Sequence, residues 1–131
     1  MTIEVEIAEN GVTPTAVDFT VANNATWSIP FRWKQGDAPV SIVGQKLRMQ
    51  LRANPDDLAG AVAVELSSAN SHILPTDEAA GEWLLNLSAA ESSKIEAGSY
   101  AYDVLASVDS DTRVYRRQQG IITVEQGVTR G

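Results

Sequence analysis

The chain has 131 residues, 17 of them acidic and 10 basic, for a formal net charge of −7, and it contains no cysteine. That length supports one domain with a real core; the lack of cysteine excludes disulfides and thiol chemistry, and the acidic balance disfavours nucleic acid and anionic membranes as general partners. No run is long enough for a membrane-spanning helix, and residues 2–7 form a charged strand pattern rather than a signal peptide, so a complete small product in a reducing compartment is expected.

Residues 2–8 alternate Ile3, Val5 and Ile7 with Glu4 and Glu6, the pattern of an exposed edge strand or arm with its acids toward solvent. Asn10-Gly11 signals a turn. Residues 16–21 form a second short strand, with Val17, Phe19 and Val21 on one side, broken by Asn23-Asn24. Residues 25–33 read as a central strand. Trp27, Ile29, Phe31 and Trp33 share one face and anchor the core, while Pro30, which has no N–H to give a ladder, marks a bulge or an edge. Gln35-Gly36-Asp37 opens a loop toward a short strand over residues 39–42.

Residues 46–52 alternate strictly, Leu47, Met49 and Leu51 inward, Arg48, Gln50 and Arg52 outward. Residues 54–57 are a turn, residues 61–66 a strand with Val62, Val64 and Leu66 inward, and residues 71–74 a short strand before Pro75. Trp83, Leu85 and Leu87 then alternate as a half-buried strand. Ser88 and Glu91 have the spacing of a capping box, which predicts a short helix over residues 89–95 ended by Gly98. Tyr100, Tyr102, Val104, Ala106 and Val108 follow on one face. Gly98-x-Tyr100-x-Tyr102 resembles the corner before strand F of immunoglobulin-like sandwiches, where a Tyr follows a Gly by two residues. Tyr102 stands where that fold carries a cysteine, which removes the intersheet disulfide and leaves the topology signal. Residues 109–112 are a tight connection into a last strand, 113–124, in which Gly120 suggests a bulge. Strands at this spacing predict an all-β, immunoglobulin-like antiparallel β-sandwich of seven to nine strands with one short helix, a single domain over residues 1–131.

Chemistry is scarce in this pattern. His72 is the sole histidine; without an adjacent nucleophile and orienting group it reads as a surface or satisfied loop histidine. One histidine and no cysteine do not make a zinc site. Asp56-Asp57 and Asp109-x-Asp111 lack the glycine and distal glutamate of a calcium loop and read as turns. Glu82 and Asp103 fall on outward faces, which gives no facing carboxylate pair with Glu91 or Glu96 for glycoside chemistry. No catalytic residue, cofactor site or metal ligand is assigned. Trp27, Trp33 and Trp83 share faces with aliphatic residues and read as core rather than a sugar-stacking platform; Tyr115, among arginines, is the better exposed aromatic. The glycosylation patterns at Asn24 and Asn86 are treated as chance without a secretory signal. Lys34, Lys46 and Arg116 accompany several arginines that strand alternation gathers into a solvated face or a contact surface for an acidic protein. The candidate partner contacts are Arg32, Arg48, Arg52, Arg113, Tyr115 and Arg117.

Several segments, taken in order, resemble a known family. They are Phe19-x-Val21, the run from Trp27 to Trp33, Pro39-Val40-x-Ile42-x-Gly44, a Leu-x-Met-x-Leu-Arg strand, and Leu85-x-Leu87-Ser88-Ala89. Gly98-x-Tyr100-x-Tyr102-Asp103-Val104, Gly120-x-Ile122-x-Val124 and Val128-Thr129-Arg130 complete the series. Together they resemble small immunoglobulin-like structural proteins of tailed bacteriophages, in the style of baseplate upper protein N-terminal domains and neck, tail and fibre adaptors. The resemblance implies a non-enzymatic virion protein assembled in the host cytoplasm. Its implied partners are other virion proteins of tail, neck or capsid and copies of itself, not nucleic acid or membrane. A capsid decoration protein is the alternative within this class; a carbohydrate-binding module and a small enzyme are the alternatives outside it.

Overall fold

Period-two alternation of large apolar and polar side chains runs through nearly every segment, and a chain so patterned buries its apolar side only by closing two sheets on each other. The computed structural model describes residues 2–7, 14–52, 64–68, 71–108 and 113–126. Its strands are β1 (Ile3–Glu6), β2 (Thr15–Ala16), β3 (Phe19–Ala22), β4 (Trp27–Gln35), β5 (Ala38–Pro39), β6 (Lys46–Arg52), β7 (Val64–Ser67), β8 (Ile73–Asp77), β9 (Glu82–Leu87), β10 (Gly98–Val108) and β11 (Arg113–Glu125). One helical turn, α1 (Ala89–Ser92), links β9 to β10, and a 3-10 turn over Glu78–Ala80 precedes β9. Sheet I has the order β1-β4-β9-β8 with β5 on β4; sheet II has β2-β11-β10-β6-β7 with β3 also on β11.

The all-β sandwich is the expected one, with two differences of detail. Eleven strands are seen among the described residues: the segment after residue 14 splits into β2 and β3, and the short strand expected over residues 39–42 is the two-residue β5, Ala38–Pro39, paired with β4. The sheets are mixed rather than wholly antiparallel, since β1 runs parallel to β4 and β2 and β3 run parallel to β11. Parallel pairing needs a long crossover. Here the chain supplies one by leaving β1 on sheet I, visiting the edge of sheet II, and returning as β4. Pro30 takes the edge option: β1 begins only opposite Phe31, so β4 is open on that side at the proline. Pro75 likewise lies in an outermost strand, β8. The expected turns at Asn10-Gly11 and 54–57, Val62 and the 109–112 connection lie outside the described residues.

The inward stripe of each strand meets in one core. Trp27, Trp33 and Trp83 are all buried, as are Leu47, Met49, Leu51, Leu85, Val104 and Ile122. Each such side chain contributes roughly 1.5–3 kcal/mol by leaving water. Phe31 stacks on Trp83 at 4.6 Å within sheet I, and Phe19 of sheet II meets Phe31 edge-on at 5.6 Å and Tyr102 at 5.5 Å. These offset and edge-to-face contacts join the sheets.

The β9–β10 corner forms as its sequence predicts, with one correction. The Ser88 hydroxyl accepts the Glu91 N–H and the Glu91 carboxylate accepts the Ser88 N–H, a complete capping box. The Tyr100 hydroxyl donates to the Glu96 carbonyl at 2.7 Å, the backward bond of a tyrosine corner. The helix, however, ends at Ser92 rather than near Ile95, and Gly98 is the first residue of β10 rather than a helix cap. Ser92 is buried with its hydroxyl on the Ala25 carbonyl, and Asn23 donates to the Ile95 carbonyl. Past Ser92 the backbone tightens to i→i+3 bonds, the Lys94 N–H donating to the Glu91 carbonyl and the Ile95 N–H to the Ser92 carbonyl.

At the position of the missing cysteine, Tyr102 joins a buried hydrogen-bond chain across the sandwich. The Trp33 indole N–H donates to Gln118 Oε1 at 3.0 Å, Gln118 Nε2 donates to the Tyr102 hydroxyl at 2.9 Å, and that hydroxyl donates to the Val17 carbonyl. Gln118 is fully buried. Burial pushes the Tyr102 phenol up to about 12.

The expected bulge at Gly120 lies elsewhere. Tyr102 faces Gly120 in register, and the β10–β11 ladder slips between Val104/Gln118 and Leu105/Arg116, leaving Arg117 as the extra residue. Gly120 answers a different need. A Cβ there would lie 2.1 Å from the Val17 carbonyl oxygen and 2.8 Å from Asp18 Oδ1. The step between β2 and β3 crosses β11 at this point, and the Asp18 carboxylate accepts the Ile121 N–H at 2.9 Å in place of a strand carbonyl.

Candidate interaction surface

The bulge at Arg117 decides which β11 side chains share a face. Before it, Arg116 is opposite Leu105, on the outer side of sheet II, and Tyr115 is opposite the buried Ala106; after it, Gln118 is opposite the buried Val104. Tyr115 and Gln118 therefore both point to the inner side although three residues apart. Tyr115 is half-buried, with the Arg117 guanidinium 4.7 Å above its ring. Burial lowers the Arg117 pKa. Arg113 lies exposed at the outer end of the same strand, opposite Val108.

The six candidate contacts thus divide among three places. Arg48 and Arg52 stand on the outer side of β6, where Arg48 pairs with Glu65 at 3.7 Å and Arg52 reaches Gln50 at 3.3 Å. Arg113, Tyr115 and Arg117 gather at one end of β11. Arg32 belongs to the opposite sheet, where its guanidinium binds Glu82 and reaches Glu4 at 3.4 Å. Unbroken strand alternation groups Arg117 with Arg113 and Tyr115 and leaves Arg116 out. In the fold it is Arg116 that joins Arg52 around a shallow depression of about 400 Å³, with Gln50, Asp103, Leu105 and Gln119. Arg116 Nε donates to Asp103 Oδ2 at 2.9 Å.

A second shallow depression, of about 470 Å³, lies on the outer side of sheet I and holds Glu4, Arg32, Lys34, Asp37, Asp77 and Glu82. Lys34 binds Glu4 at 3.0 Å, and this hydrogen-bonded ammonium holds the Glu4 carboxyl below the usual range. Glu82 in turn raises the Arg32 pKa by direct hydrogen bonding. Charged and amide side chains share the walls of both depressions with apolar ones, Ala101 and Leu105 in the first and Pro39 and Ala80 in the second.

His72 lies in the turn before β8. Its Nε2 meets Glu91 Oε2, while Glu91 Oε1 accepts the Ser88 hydroxyl at 2.9 Å. The carboxylate therefore stands between hydroxyl and imidazole, and a nucleophile–base pair requires the imidazole to stand in the middle. Contact with His72, added to two bonds from Ser88, lowers the Glu91 carboxyl to about 2. The three tryptophans are core, so they offer no sugar platform; 2% is the largest exposure among them. No helix among the described residues is long and apolar enough to cross a membrane.

The fold and its faces define a two-sheet β-sandwich with charged outer faces, one at each side of a single core. Among solved structures the chain is similar to the N-terminal domain of phage TP901-1 ORF48, at 14% identity and a TM-score of 0.55, over 95% of this chain and 99% of that one. At that identity the likeness shows a shared fold. No protein-family profile and no curated protein sequence matches the chain.

Proposed function

We propose that this protein is a structural module of a tailed-bacteriophage particle, a neck, tail or fibre adaptor that acts through protein–protein contacts and performs no catalysis. The observation that carries this reading is the match of nearly the whole chain to nearly the whole of one phage protein domain, which makes the shared unit a complete sandwich rather than a common fragment. Fold alone does not transmit function, but the surface agrees. Both outer faces are strongly charged and carry ion pairs, Arg32 and Lys34 with Glu4 on sheet I and Arg116 with Asp103 on sheet II, and the three tryptophans that a sugar-binding module would display are in the core. The partners on this reading are other virion proteins and copies of the chain itself, met during assembly in the host cytoplasm.

Mass spectrometry of particles purified from the source lysate, scaled to the major capsid protein, tests the reading. Copy numbers in small multiples of three or six are expected for a ring on the tail or neck axis. Hundreds of copies would move the protein to the capsid surface as a decoration protein, and absence from the particle would overturn the structural role.

A further inference from the structure

The two outer faces of the sandwich carry opposite charge. On sheet I the carboxylates of Glu4, Glu6, Asp37, Asp77 and Glu82 surround two cations among the described residues, Arg32 and Lys34. The Lys34 ammonium is raised first by Glu4, then by Glu6 and Asp37, so all three acids act on one cation. On sheet II the outer side of β6 presents Lys46, Arg48 and Arg52, and Arg116 stands across β10 from them. The acids among these are Glu65 and Asp103, with Glu125 at a far corner. Each face also has apolar area. Val114 and Ile121 of β11 are 51% and 40% exposed on sheet II, and Leu74 of β8 is 36% exposed beside Leu84 on sheet I.

We propose that the outer face of sheet II docks on the outer face of sheet I of a second copy of this chain. The arginines of β6 and β11 would meet the acids around Asp37, Asp77 and Glu82, and exposed aliphatic side chains lie within each patch. Charge complementarity selects this occupant, because one face has an excess of carboxylates and the other an excess of cations. It also selects the arrangement. A two-fold contact of sheet II on sheet II would set Arg48, Arg52 and Arg116 against their own images, and like-charge juxtaposition is strongly disfavoured. A face-to-back contact avoids that, and it is heterologous, so it propagates from copy to copy. Arginine is among the residues enriched where interfaces concentrate their binding energy. The inference deepens the assembly role proposed above and rests on it; its test uses the purified chain alone, so its failure leaves the particle measurement to stand or fall separately.

Sedimentation velocity of the full chain over a range of concentrations, at about 50 mM and about 500 mM salt, makes the first test; the screening length falls from more than about 10 Å to about 4 Å between them. Association that grows with concentration at low salt and weakens at least ~10-fold at high salt is expected. The decisive test uses two variants whose folding is checked by circular dichroism and melting. Arg48→Glu/Arg52→Glu reverses the basic face, and Glu6→Lys/Asp37→Lys reverses part of the acidic one. Each alone is expected to be monomeric at concentrations where the natural sequence associates. Mixed, they are expected to associate again, into dimers or larger, because the acidic sheet I face of one variant meets the intact basic face of the other and the two reversed faces are themselves of opposite sign. A natural chain that stays monomeric at low salt, variants that associate as well as it does, or a mixture that forms no dimer would each overturn the proposal.

Discussion

Gln118 offers the sharpest test of how the two sheets are held together. The side chain is fully buried and takes part in two hydrogen bonds, one from the Trp33 indole on sheet I and one to the Tyr102 hydroxyl on sheet II. Gln118→Met keeps nearly the same volume, so packing changes little. It removes both bonds, each worth about 1 kcal/mol net, and leaves the Trp33 N–H buried without an acceptor, a cost of about 1–3 kcal/mol. Tyr102 keeps its bond to the Val17 carbonyl and adds no orphan donor. Relief from burying the amide offsets part of the loss, giving a net destabilisation of about 2–3 kcal/mol and a fall in melting temperature on the order of 10 °C. Urea unfolding followed by tryptophan fluorescence measures it. A matched pair isolates the hydrogen-bond contribution: Trp33→Phe and Trp83→Phe make the same change at two fully buried sites, but the Trp83 N–H has no hydrogen-bond partner among the described residues. Trp33→Phe should therefore cost more by about 1–3 kcal/mol. A Gln118→Met loss below about 0.5 kcal/mol, or a Trp83→Phe variant less stable than Trp33→Phe, would refute the role given to this bonded chain.

Three further expectations follow from the same structure. Because the Tyr102 phenol is raised to about 12 when folded, the folded state holds its proton longer than the unfolded chain does. Stability should be intact below about pH 10 and lost, by about 2–3 kcal/mol, as pH rises toward 12, with tyrosinate absorbance appearing together with unfolding; Tyr102 ionising before the fold is lost would count against it. The Glu91 carboxyl is lowered to about 2, so its contribution is present above the ordinary carboxylate range and lost as pH falls toward 2. Glu91→Gln should flatten that part of an acid-unfolding curve, and an unchanged curve would remove the His72 and Ser88 contacts from the account. Gly120→Ala places a methyl group 2.1 Å from the Val17 carbonyl oxygen at a φ of +156°. We expect a loss above about 2 kcal/mol, or failure to fold, and more than Gly36→Ala, where the added Cβ meets nothing within 4 Å and only the φ of +60° opposes it.

The sequence by itself determined which side chains are core. Trp27, Phe31 and Trp33, then Leu47, Met49 and Leu51, then Trp83, Leu85 and Leu87 are buried in the order that alternation demands, because side-chain direction in a strand depends only on local backbone geometry. The capping box at Ser88 and the tyrosine corner at Tyr100 were equally legible, each formed within a few residues. Counting back by twos from Val124 through Ile122 and Gly120 also reaches Gln118 on the inner face, but nothing in the sequence singles out a buried amide there. Its bonding partners were not legible, since Trp33 lies 85 residues away and on the other sheet. Only the tertiary structure decided the parallel pairing of β1, β2 and β3, which depends on where the chain crosses between sheets. Only it placed the bulge at Arg117, a register slip against β10, and so chose Arg116 over Arg117 for the outer face. The division of the charged residues into an acidic and a basic face is also tertiary: β4 and β6 both alternate basic side chains outward, but they belong to opposite sheets, so their arginines point away from each other.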